Sequence, residues 1–111
     1  MNSTDYLEAS ARTENDAGVE IDRNLLHGII GLSGEVGELM DNIKRTMFYG
    51  LRPDQNNIRE ECGDILWYLA QICRSQGFTF EELMDENIAK LKARYPNKFT
   101  KDDSILRRDK N

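Results

Sequence analysis

The sequence predicts an all-α protein, a helical bundle. Three observations carry this. Apolar residues recur at spacings of three or four through three long segments, as in helices with one buried stripe. No run alternates apolar and polar residues long enough to make a strand. The two prolines, Pro53 and Pro96, fall at the ends of those segments, where they act as punctuation.

A short first helix is expected over residues 3–13, capped by Ser3 or Thr4, and TENDAGVE after it reads as a loop. The second helix runs from about Asp22 to Tyr49. Its stripe is Leu25, Ile29, Leu32, Val36, Leu39, Ile43 and Met47, and Gly50 supplies a left-handed stop ahead of Pro53. The third runs from about Asn56 to Gln76 and stops at Gly77. Its stripe, Ile58, Cys62, Ile65, Leu69, Ile72 and Cys73, makes both cysteines small core residues. The fourth opens on a capping box of Thr79 and Glu82 and runs to Tyr95, with Phe80, Met84, Ile88, Leu91 and Tyr95 on its apolar side. Residues 100–111 read as a polar, loosely held tail. The 111 residues thus form one domain, 1–111.

Composition narrows the function. The chain is 39% apolar and 32% charged, which suits a folded core. At this size a partner subunit would be a useful added stabiliser. A net charge of −5 excludes a broad basic face for duplex nucleic acid. Cys62 and Cys73 lack the spacing of a zinc site or disulfide framework, so reduced thiols and a cytoplasmic location are expected. MNSTDYLEAS has neither a basic nor an apolar leader segment, and the longest apolar run, LLHGIIGL, is too short to span a membrane.

The second helix contains an anomaly. Glycine recurs at Gly28, Gly31, Gly34 and Gly37, each costing roughly 1 kcal/mol relative to alanine in a helix interior. Between and beside them Glu35 and Glu38 place like charges on one face. On a wheel of about 100° per residue the apolar stripe centres near 90° from Glu35, so both acids flank the seam. On the third helix Glu61 and Asp64 flank its stripe in the same way, and Tyr68 continues the row. Apposed, the seams would gather four carboxylates, which repel unless a cation joins them. Magnesium prefers such oxygen ligands, and glycines clear space for another helix or a ligand. On the fourth helix Asn87, Lys90 and Arg94 share an arc of about 60° and suit phosphate oxygens. Lys44 and Arg45 could add to them. Acids beside bases suggest metal-assisted chemistry on a polyphosphate.

Blander readings stand beside these. Acid pairs at this spacing also occur at Glu82 and Asp85, where they are ordinary solvated charges. His27 reads as a hydrogen-bonded, partly buried histidine or as a ligand group. Trp67 and Tyr68 read as core or interface aromatics or as a stacking surface for a base. Arg94 also suits a helix C-terminus, and Asp41 an outer-shell acceptor.

GLSGEVGELMDNIK, EECGDILWYLAQI and NIAKLKARYP, in that order, resemble the MazG-like nucleoside triphosphate pyrophosphohydrolases of the all-α NTP pyrophosphatase superfamily. The likeness covers about residues 22–99. The family's E-x-x-E, spacer, E-x-x-D pattern falls on Glu35, Glu38, Glu61 and Asp64. The resemblance implies a four-helix-type core completed by homodimerisation, with a homotetramer as a further step. It implies Mg²⁺, or Mn²⁺ in its place, on those four acids, with Glu35 or Glu38 as base. It implies cleavage of a (d)NTP to (d)NMP and pyrophosphate, with Asn87 and Lys90 on phosphates. The alternative is a non-catalytic helical dimerisation or nucleotide-sensing module. The spacer FYGLRPDQNN is a candidate for base selection.

Overall fold

The computed structural model describes residues 1–98 and 100–106, without the side chain of Asp103. Phe99 and residues 107–111, at the edge of the expected core and in the expected tail, lie outside the described residues. The described residues form five helices: α1 (Ser3–Ala11), α2 (Arg23–Tyr49), α3 (Gln55–Gln76), α4 (Phe80–Arg94) and α5 (Lys101–Leu106). The all-α class is therefore as the sequence predicts.

Each boundary has a local chemical cause. Asn2, not Ser3 or Thr4, caps α1, because Asp5 stands three residues on and returns the bond to the Asn2 backbone. That helix ends at Ala11, two residues earlier than expected, and buries nothing. Asp22 caps α2 by accepting from the Leu25 N–H at 3.0 Å. Gly50, at φ 69°, closes it with its N–H on the Thr46 carbonyl. Asp54 caps α3 through the Asn57 N–H at 3.1 Å, and Gly77 at φ 77° ends it. Thr79 caps α4 from the Glu82 N–H, so the Thr79 half of the expected box forms. The stretch expected to be only a polar tail contains a turn and a half of helix, α5, resting against α4.

The principal packing among the described residues is α2 against α3. Asn24 meets Gln71, Gly28 meets Ile72, and Asn42 meets Asn57, so the helices run antiparallel. A Cβ on Gly28 would lie 2.7 Å from Ile72 Cγ1, and one on Gly31 would overlap the Tyr68 ring. These two glycines let the helices approach closely.

One chain does not close a core. Its radius of gyration is 20.2 Å, against about 13 Å for a compact domain of this length. The expected buried stripe of α2 is only partly covered, with Ile29 49% and Met47 71% exposed. Met84 and Ile88 of α4 are exposed as well. A two-helix seam covers only a narrow strip of each helix, and the rest needs further elements. Cys73 is buried, but Cys62, expected in the core, is exposed because it sits off the side of α3 that meets α2.

Candidate metal centre

Glu35 and Glu38 descend from α2 and Glu61 faces them from α3. Each offers a carboxylate oxygen within 4.8 Å of the others. The antiparallel hairpin makes this meeting, since the acids lie on the seam sides of helices whose register Gly28 and Gly31 fix. Glu61 is only 6% exposed. Its Oε1 accepts from Asn57 Nδ2 at 3.4 Å. Asn57 Oδ1 in turn accepts from Asn42 Nδ2 at 2.9 Å, and Asn42 Oδ1 accepts from the Asp54 N–H at 3.3 Å. This chain of amides ties the start of α3 to α2 and fixes the Glu61 carboxylate.

Two oxygens are left over. Glu35 Oε2 and Glu61 Oε2 are buried with no hydrogen-bond partner. Leaving such a group unsatisfied is unfavourable, so each calls for a ligand. The electrostatics agree. The Glu38 carboxyl is held above its ordinary value, first by sharing a hydrogen bond with Glu61 and then by that group's charge, although Glu35 acts in the opposite direction. Glu61 is raised too, first by the Glu35 carboxyl with which it would share a proton, with Glu38 opposing and burial and Asp64's charge adding. Carboxyls that share protons in this way are poised for a cation to replace the proton. A divalent ion with oxygen bonds of about 2.1 Å holds its ligands within about 4.2 Å of one another, close to the 4.8 Å limit within which these three oxygens lie. The donor set is all hard oxygen and fits magnesium or manganese.

Asp64 stands beside this trio rather than among its converging oxygens. It is exposed and lines a shallow pocket with Glu35, Trp67 and Tyr68. Trp67 is 54% exposed and meets Tyr68 edge-on at 5.2 Å. His27 lies farther along the seam. Its Nδ1 accepts from the Gln71 amide at 3.0 Å and its ring meets Tyr68 at 5.8 Å, so it is hydrogen-bonded as expected, but it is exposed rather than partly buried, because it sits at the rim of the two-helix seam.

The basic residues fall into two groups. Asn87 and Lys90 are exposed on α4, and Arg94 is half-buried there. Among the described residues α4 has no extensive contact with the α2–α3 hairpin, and Asn87 and Lys90 line neither pocket beside the acids. Lys44 is exposed and lines neither pocket described here. Its neighbour Arg45 does line one, a cavity of about 700 Å³ that also includes Glu38, Glu61, Asn42, Asn57 and Arg52. Asn42, Asn57 and Arg52 were not singled out from sequence. Asn57 could have been found: it lies four residues before Glu61, hence on the same helical face.

The fold and site define an all-α protein that gathers carboxylates across a helical hairpin. Residues 25–99 match the family described as the MazG nucleotide pyrophosphohydrolase domain. The chain belongs to that family, and the matched span contains every acid and amide of the site. No curated protein and no solved structure gave a match.

Proposed function

We propose that this chain is a Mg²⁺-dependent nucleoside triphosphate pyrophosphohydrolase, with Mn²⁺ able to stand in, that splits a (d)NTP into (d)NMP and pyrophosphate. The observation that carries the reading is the convergence of Glu35, Glu38 and Glu61 with two buried, unpartnered carboxylate oxygens. Those three acids, with Asp64 at their edge, would hold the metal. When bound, the metal neutralises phosphate charge and makes a coordinated water more acidic. Glu35 or Glu38 takes the proton from the attacking water. The water oxygen bonds to the α-phosphorus, the bond from that phosphorus to the bridging oxygen breaks, and pyrophosphate leaves. The amide chain through Asn57 keeps Glu61 aimed while this happens.

The exposed apolar faces of α2 and α4 support a homodimer, or a homotetramer built from it, with the four-helix-type core formed from two hairpins. Large uncovered apolar patches mark interaction surfaces. In such an assembly α4 of one protomer or the other would bring Asn87, Lys90 and Arg94 to the phosphates. Free thiols and the lack, among the described residues, of a helix able to cross a membrane support a cytoplasmic setting.

The test is release of pyrophosphate from the common NTPs and dNTPs with and without Mg²⁺. The Glu38→Gln variant is expected to lose at least a hundredfold in rate, roughly the loss that removing a general base brings, while keeping the helical circular dichroism of the parent. Unchanged turnover by that variant would reject the assignment.

A further inference from the structure

We infer that the last turns of α2 and the α2–α3 connection carry a second phosphate-binding group, Arg45 and Arg52, which receives the leaving pyrophosphate end of the substrate. The inference rests on the pyrophosphohydrolase reading and gives it a direction. The 700 Å³ cavity is bounded by Glu38 and Glu61 of the acid trio and by both arginines. Gly34 and Gly37 also line it, and nothing lies within 4 Å of where their Cβ atoms would be. The space therefore runs down to the backbone of α2, beside the acids.

The guanidiniums are uncommitted. Two carboxylates, Asp41 and Asp54, line the same cavity, yet among the described residues neither arginine forms an ion pair or hydrogen bond with them. Asp54 is occupied as the cap of α3. Guanidiniums bind phosphate oxygens through paired N–H groups, better than the point charge of lysine. Four carboxylates against two arginines would repel a bare anion. The cavity therefore suits a polyphosphate that arrives with its divalent cation, which would neutralise Glu38 and Glu61 as it binds.

The second pocket supplies the polarity. Glu35 and Asp64 line it together with Trp67 and Tyr68, and among the described residues no cationic side chain lines it. The acid trio thus separates an aromatic pocket from an arginine-lined one. A nucleotide laid across the acids would place its base and sugar toward Trp67 and Tyr68. Its β and γ phosphates would lie toward Arg45 and Arg52, and its α–β bridge above the carboxylates. Arg52, within the spacer expected to concern base selection, would then read phosphate instead.

Binding of pyrophosphate in excess Mg²⁺, followed by titration calorimetry, tests this on the full chain. R45A/R52A is compared with the parent and with the charge control R74A, whose arginine lies at the far end of α3. The expected result is pyrophosphate affinity lowered roughly tenfold to a hundredfold in the double variant, typical of losing charge-assisted bonds. R74A and the binding of Mg²⁺ alone should be unchanged. R52A alone, altered only in a connecting loop, should show part of the loss and serves if the double variant misfolds. The KM for a triphosphate should rise in parallel. Equal pyrophosphate affinity in parent and variants, or no binding by the parent, overturns the inference. An arginine-dependent pyrophosphate complex in a parent that turns over no nucleotide would uphold the subsite and reject the activity.

Discussion

The two halves of the α2–α3 hairpin use the same residue for opposite ends. Toward the start of α2, Gly28 and Gly31 are pressed against Ile72 and Tyr68, and their missing side chains let two helices touch. One and two turns on, Gly34 and Gly37 face open space, and their missing side chains leave a cavity beside the acids. The first half is packing and the second is site. Glycine spacing alone could not separate them, because the ladder is uniform in sequence while its neighbours on α3 are not. The largest expected effect breaks the packed half. Gly31→Ala should destabilise the fold by about 1–3 kcal/mol, since the new methyl meets the Tyr68 ring. Chemical denaturation checks this, and adding Tyr68→Ala should recover part of the loss. A simple propensity gain instead would show that the helices do not pack at this distance.

The bridge between the halves comes next. Asn57→Ala removes the amide that joins Asn42 to Glu61 and leaves the Asp54 cap, which uses only the Asn57 backbone. Mg²⁺ affinity is expected to fall about tenfold, as when an outer-shell partner of a metal ligand is lost. Thermal shift against Mg²⁺ concentration measures it, and Asn57→Asp should not restore it, because a carboxylate has no N–H to donate to Glu61. The open half gives a smaller effect of opposite sign. Gly34→Ala should raise stability by up to about 1 kcal/mol, the helix-propensity difference, because its Cβ meets nothing. If it also weakens Mg-pyrophosphate binding, the cavity floor is part of the subsite.

The helices were legible in the sequence because their ends carry local punctuation: Thr79 caps α4 through the Glu82 N–H, and Gly50 and Gly77 close α2 and α3 through bonds to carbonyls four residues back. The pairing of Glu35, Glu38 and Glu61 was legible too, since helical spacing places acids at a seam edge whatever the partner. Cys62 shows where that reasoning ends. A stripe drawn on one helix states which side is apolar, not how much of it a neighbour covers. Arg45 and Arg52 show it again. They are separated by the α2–α3 turn and meet the same cavity only because the chain reverses at Gly50. Asn87, Lys90 and Arg94 share a face as the wheel predicts, yet which acids they approach depends on what packs against α4.

The smallest expected effect concerns protons at the trio. Glu38 and Glu61 both have carboxyl groups raised above 4.5, so the fold holds their protons more tightly than the unfolded chain does. Their contribution to stability is therefore full below about pH 4.5 and is lost as pH rises through the raised folded values. In metal-free buffer the parent should lose stability relative to E38Q as pH goes from 4.5 to 7.5, because the glutamine cannot ionise. Excess Mg²⁺ should reverse the trend, since metal binding needs the ionised acids and strengthens over the same window. Denaturation of both proteins across that range, with chelator and then with Mg²⁺, reads both slopes. A parent-minus-variant difference flat in pH would mean that Glu38 does not sense Glu61. In that case the two helices would present separate acids rather than one site, because carboxyls close enough to share a cation are close enough to shift one another's titration.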